Sequence, residues 1–179
     1  MTLKIRILFI LSVIILTSCQ TVQYIADYSD SQDFSPYKTY NLMEWNEANN
    51  RYVNGIDKER ILKALHTEMN ARGYTISNTP DLMLNVNVII EERKGTHAYT
   101  TYMGGYYSPF GYGVTTYQEY TYLVGTLIID MFEESSKKQV WHGAAIGNVS
   151  ENNNRTDESV HLIVKRILNK YPIRPVEGK

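Results

Sequence analysis

PDLMLNVNVIIEE, residues 80–92, alternates apolar and polar side chains, and that alternation decides the fold. Leu82, Leu84, Val86, Val88 and Ile90 point one way, whereas Asn85 and Asn87 point the other, the period of two expected of a strand with one face in a core and one toward water. TYLVGTLIIDMFEE, residues 121–134, repeats the pattern with Leu123, Leu127, Ile129 and Met131 on one face. The short turn ESSKK leads into a third strand in KKQVWHGAAIGNV, residues 137–149, and the three pair as antiparallel neighbours. A sheet apolar on one face needs a second layer to cover it.

Two segments with helical spacing supply that layer. In NGIDKERILKALHTEMNARG, residues 54–73, Ile61, Leu62, Leu65 and Met69 share a face, with Asp57 expected to cap the start and Gly73 to end the helix. In TDESVHLIVKRILNKY, residues 156–171, Val160, Ile163, Val164, Ile167, Leu168 and Tyr171 follow the helical period until Pro172 stops it. VQYIADY, residues 22–28, reads as a short first strand, and the Tyr-rich segment up to Leu42 as extended. The expectation is an α+β two-layer sandwich, an antiparallel sheet of about four to five strands against two amphipathic helices. A single domain is expected over residues 37–172, with a tail at 173–179. One core suffices for a chain of 179 residues.

The N-terminus carries a different kind of information. Lys4 and Arg6 precede an apolar run over residues 7–16, the layout of a secretory signal, and that run is half the roughly 20 residues needed to span a bilayer. Leu16-Thr17-Ser18-Cys19 follows, and it resembles the lipobox of bacterial lipoproteins. That resemblance implies a signal peptide over residues 1–18, cleavage before Cys19, and a diacylglycerol on the cysteine sulfur, so that Cys19 carries acyl chains such as palmitate. Residues 19–36 then form a lipidated tether containing the possible first strand. Two or more acyl chains anchor a protein stably without a spanning helix. An ordinary signal with an incidental cysteine is the alternative reading of the same stretch. Cys19 is the only cysteine, so the core does not rest on disulfides. Loss of Lys4 and Arg6 with the signal takes the formal net charge from −1 to −3, and no clustered basic face suggests a nucleic acid partner.

The chain offers little chemistry. His66, His97, His142 and His161 show no metal-binding spacing. His142 can approach Asp130 across a strand pair, yet no activated serine accompanies them, and Asp130 is otherwise expected on the solvated sheet face. Glu91-Glu92 and Glu133-Glu134 read as solvated strand ends. No cofactor and no catalytic residue is expected. What the fold does not require is HAYTTYMGGYYSPFGYGVTTY, residues 97–117, far longer than a hairpin turn, with glycines expected to interrupt strand structure and tyrosines suited to stacking. Tyr102, Tyr106, Tyr107 and Tyr112 are the candidate partner-binding residues.

With these blocks assembled, the chain resembles the Domain of Unknown Function 4136 lipoprotein family. The resemblance rests on the lipobox cysteine, DFSPYKTYNL, a helix running from DKERI to ARGY, PDLMLNVNV, GTLIIDMFEESSKKQVWHGAA and the closing YP. It implies an envelope lipoprotein with an α+β domain and carries no catalytic residues with it. The expected function is a non-catalytic interaction or structural module, held to the bilayer through Cys19 on the periplasmic side of the outer membrane. Gln20 behind the cysteine favours the outer membrane. The alternative is a module that binds glycan, peptidoglycan or an exported polymer through the Tyr/Gly hairpin, and an envelope hydrolase is the weakest reading. Intact-mass measurement of the mature protein checks the anchor: the expected species begins at acylated Cys19, and an unmodified cysteine would overturn the lipobox reading.

Overall fold

A computed structural model describes residues 22–103, 112–149 and 155–176. Six strands form one sheet: β1 (Val22–Asp27), β2 (Thr39–Leu42), β3 (Thr75–Ile76), β4 (Leu82–Met103), β5 (Tyr112–Glu133) and β6 (Gln139–Val149), in the spatial order β1-β6-β5-β4-β2-β3. Helices α1 (Gly55–Ala71) and α2 (Asp157–Leu168) pack on one face of it. The two-layer α+β arrangement stands, with two corrections to the sheet. It has six strands rather than four to five, and it is mixed rather than antiparallel throughout, because β2 runs parallel to both β4 and β3. The reason is topological. A helix separates β2 from β4, and a strand–helix–strand crossover returns the chain in the same direction.

The alternation in residues 80–92 is realised as read. Leu82, Leu84 and Val86 are buried, and across the β4/β5 pair Met131 lies opposite Leu84 and Ile129 opposite Val86. From the helices, Leu65, Met69, Val164, Ile167 and Leu168 close onto that face. Full burial of one such side chain is worth about 1.5–3 kcal/mol, so each helix is held by its stripe. Ile163, at the edge of the second stripe, is only partly buried. Tyr171 is fully buried, with Phe34 and Trp141 edge-on at centroid distances of 5.1 and 5.5 Å and its hydroxyl 2.8 Å from that of Tyr74.

Asn54, not Asp57, caps α1, its side chain accepting from the Asp57 backbone N–H at 2.8 Å. Asp57 instead sits inside the first turn, buried against arginines. Gly73 ends the helix as expected, at a φ of 86° that only glycine adopts without strain. Thr156 opens α2 through a reciprocal capping box with Ser159.

Contacts between the helices run in step along both: Arg60 to Asp157 at 2.8 Å, Glu68 to His161 at 3.0 Å, and Arg72 to the Leu168 carbonyl at 3.0 Å. Helices α1 and α2 therefore lie parallel, and both N-termini open at one end of the sandwich.

Asp81 explains the PDL block. One carboxylate oxygen accepts from the Lys38 N–H, the Thr39 N–H and the Thr39 hydroxyl, each at 2.8 Å, and so fastens β2 to the start of β4. The Lys38 N–H, then the Thr39 hydroxyl and N–H, hold its pKa below the ordinary 3.8. A carboxylate depressed by folding contributes stability that is complete above its unfolded pKa and is lost as pH falls through its folded one. Asp81→Asn is therefore expected to lower the melting temperature at neutral pH and to flatten its decline below pH 3.8. Parallel acid-melting curves for the two proteins would refute that role.

Candidate functional site

His142 does meet Asp130, at 2.6 Å, as their position in register allows. Asp130 also accepts from the Gln139 side chain at 2.8 Å and is mostly covered rather than solvated. Neither contacts a nucleophilic side chain. His66 shares a 2.8 Å hydrogen bond with the Tyr40 hydroxyl; burial lowers the histidine's pKa and pushes the tyrosine's up to about 12. His161 faces Glu68, which with Arg72 forms a buried ion pair at 2.7 Å between the helices. Sequence reasoning missed these buried charges because spacing alone does not tell which polar residues two helices will enclose. Among the described residues no cluster of three or more His, Cys, Asp or Glu suits a metal ion.

The feature that stands apart is the far half of the β4/β5 pair. Among the described residues β6 follows β5 as far as Val149 opposite Leu123, and β4 and β5 stay in register for eleven more rungs, from Arg93 opposite Tyr122 to Met103 opposite Tyr112. At about 3.3 Å per residue the two-stranded arm reaches about 35 Å beyond the sheet's third strand. On the opposite edge β2 stops at Leu84, after which the buried Asn49 side chain takes over, donating to the Val86 carbonyl and accepting from the Val88 N–H at 2.9 Å each. A lone hairpin is at best marginally stable in water, so an arm of this length must draw stability from its own side chains or from what it touches.

Those side chains are arranged. Residues opposite one another share a face, and Tyr122, Tyr120, His97 and Tyr99 all fall on the face continuous with the helix-free side of the sheet. Their rings follow one another at centroid distances of 5.8, 4.2 and 6.2 Å, and the His97 and Tyr120 rings stack within 11° of parallel. Gly95 makes this possible. Tyr120 lies across it so closely that a Cβ there would stand 2.5 Å from the ring. The other face carries Tyr117, 71% exposed, and a 3.0 Å hydroxyl contact between Thr100 and Thr115. Aromatic pairs in such geometry contribute about 0.5–1.5 kcal/mol beyond burial. The ladder both stiffens the arm and presents ring faces and hydroxyls to water.

The sequence-based candidates map unevenly onto this surface. Tyr102 and Tyr112 lie in the last rungs of the arm, while Tyr106, Tyr107 and Cys19 lie outside the described residues. The expectation that glycines interrupt strand structure does not hold at Gly113, which pairs with Tyr102, while Gly104, Gly105 and Gly111 lie outside the described residues. Tyr99, His97, Tyr120 and Tyr122 were not singled out. The available signal was a glycine opposite a tyrosine two residues from a second tyrosine, legible only once the register is known.

Strand by strand, PDL, ARGY, GTLIIDM and VWHGAA occupy the core of this sandwich, and residues 25–173 match the family described as a domain of unknown function, DUF4136. The chain belongs to the DUF4136 family. Comparison with curated proteins finds no match. Among solved structures, the chain is similar to a PDZ domain protein from Parabacteroides distasonis at a TM-score of 0.55 and 15% identity, over 87% of this chain and 38% of that one. Two structures of the PelC dodecamer from Paraburkholderia phytofirmans align at TM-scores of 0.47 and 0.48 with 10% and 9% identity. They cover 82% and 87% of this chain and 94% and 99% of those. At these identities the likeness concerns the fold alone. This DUF4136 chain has, among its described residues, no helix long and apolar enough to cross a membrane.

Gly95→Val tests the construction of the ladder. A branched side chain there displaces the Tyr120 ring and should abolish its ring-current effect on the His97 protons, while the melting temperature changes by no more than a few degrees. An unaltered His97 spectrum would mean the rings do not stack over the glycine.

Proposed function

We propose that this protein is a non-catalytic lipoprotein of the bacterial envelope, anchored through acylated Cys19 on the periplasmic side of the outer membrane, that holds its arm out to a partner. The observation carrying this reading is the arm: eleven rungs project past β6, with Tyr99 55% exposed and its neighbouring rings aligned on one face. Tyrosine suits such a surface because it offers a large rigid ring and a hydroxyl at little cost in conformational entropy. Among the described residues, the Asp130–His142 pair contacts no nucleophilic side chain. A short lipid tether would keep the sandwich close to the bilayer and leave the arm to extend from it.

A second reading, a module for glycan or an exported polymer, is favoured specifically by the stacked rings, because successive flat faces can receive successive sugars. The two readings separate in one experiment. Acylated protein crosslinked in its own envelope and purified is expected to bring down a defined protein partner under the first reading and to enrich polysaccharide under the second. Replacing Tyr99, Tyr120 and Tyr122 together with Ser should abolish the capture and leave membrane partitioning intact. Undiminished capture by the folded variant would remove the arm from the recognition surface.

A further inference from the structure

The helices do not cover the whole inner face of the sheet. At the end where both N-termini open, a cavity of about 430 Å³ lies between the sheet and the helices. Its floor is made by backbone. Gly125 stands opposite Gly147 in the β5/β6 register, with Ala145 beside them, so three neighbouring inward positions carry at most a methyl group. Another inward glycine on β6 has the opposite fate: a Cβ at Gly143 would stand 2.1 Å from the Trp141 ring and 2.8 Å from Ile167, so large side chains fill that space. At the other end a Cβ at Gly125 would stand 2.7 Å from the Val149 side chain, so Val149 leans over that position, and Gly147 and Ala145 line the rest of the floor.

The lining has a direction. Val88, Leu127, Val160 and Ile163 make it apolar, and it crosses the sheet from Val22 on β1 to Ile90 on β4. That is three strand spacings, about 14 Å, which describes an elongated slot. At about 30 Å³ per group of water size, it has room for about fourteen such groups, so a sixteen-carbon chain would fill it and leave its head and the adjoining carbons at the rim.

Charge is confined to its helix side. Asp57 is held by Arg60 at 3.0 Å and Arg155 at 2.9 Å, and Arg60 is shared with Asp157 at 2.8 Å. Arg166 lies over the Tyr24 ring at 5.7 Å and has no carboxylate within ion-pair distance among the described residues. Parallel N-termini add positive potential at the same end. An apolar slot of this volume with a few convergent polar groups is the usual form of a small-ligand site.

We infer that this slot binds a single-chain anionic amphiphile of the long-chain carboxylate class, its hydrocarbon over Gly147 and Ala145 and its head on Arg166 and Arg155. A linear chain suits the elongated, narrow floor, and an anionic head suits the cationic rim. The test uses hexadecanoate, with hexadecanol as the uncharged control, titrated into the mature chain secreted as Cys19→Ala so that it carries no acyl group of its own. One hexadecanoate per chain is expected, with hexadecanol at least about tenfold weaker, the effect of about 1.4 kcal/mol from the head. Arg166→Glu, on an exposed side chain, should weaken hexadecanoate about tenfold without moving the melting temperature, and Ala145→Leu should block binding by filling the floor. If Ala145→Leu unfolds, Arg166→Glu alone decides. Absence of binding, equal affinity for acid and alcohol, or indifference to Arg166→Glu would each overturn the assignment. So would hexadecanoate binding to the Cys19→Ala chain but not to the acylated protein in nanodiscs, since the occupant would then be the protein's own acyl chain.

Discussion

The structure depends on one unbroken register. β4 and β5 pair without a slip from Leu82 opposite Glu133 to Met103 opposite Tyr112, so a choice made in the core is transmitted the length of the arm. Burying Leu84, Val86, Ile129 and Met131 leaves no freedom further out, because in a strand every second residue shares a face and a shift of one would expose that whole set. The rings of Tyr99, His97, Tyr120 and Tyr122 are aligned by hydrophobic contacts up to a dozen or more residues away. Core packing and surface presentation are one constraint here.

The second organising element is polar. Arg72 joins the helices: one terminal nitrogen reaches the Glu68 carboxylate at 2.7 Å and the other the Leu168 carbonyl at 3.0 Å, a second donor to a helix-end carbonyl that the Tyr171 N–H also reaches. Removing one partner of the buried Arg72–Glu68 pair typically costs about 3–5 kcal/mol, because the remaining charge is stranded. These contacts hold the C-terminal halves of the helices together over the most densely filled part of the sheet, around Trp141 and Tyr171. The open end, the cavity and the root of the arm consequently coincide, since Ile90 and Gly125 line the slot and Arg93 begins the arm.

The blocks that carry the family resemblance prove to be structural. PDL contains the carboxylate that fastens β2, ARGY the interhelix arginine, the positive-φ glycine and a buried tyrosine, VWHGAA the indole over Gly143, and YP the ring at the centre of the aromatic core. The surfaces proposed for recognition lie elsewhere, on the arm and in the slot. A family recognised through such blocks is recognised by how it folds.

Periodicity was enough to place the two helices, the strand over residues 80–90 and its neighbours, because burial of one face imposes a period of two or 3.6 on the chain itself. The lipobox resemblance rests likewise on local order and composition alone. The parallel placement of β2 was implied by strand, helix, strand order and was overlooked; the buried charges Asp57, Glu68 and Arg72 were not implied by any local pattern. Nor was the ladder. Choosing Tyr102, Tyr106, Tyr107 and Tyr112 followed tyrosine density, whereas the aligned set of Tyr99, His97, Tyr120 and Tyr122 depends on which residue of β5 stands opposite Gly95. The slot likewise requires Gly125 to meet Gly147 across two strands and both helices to stop at the same end. Local sequence determines what each segment is able to be; which residues face one another is decided only when segments distant in the chain share a single core.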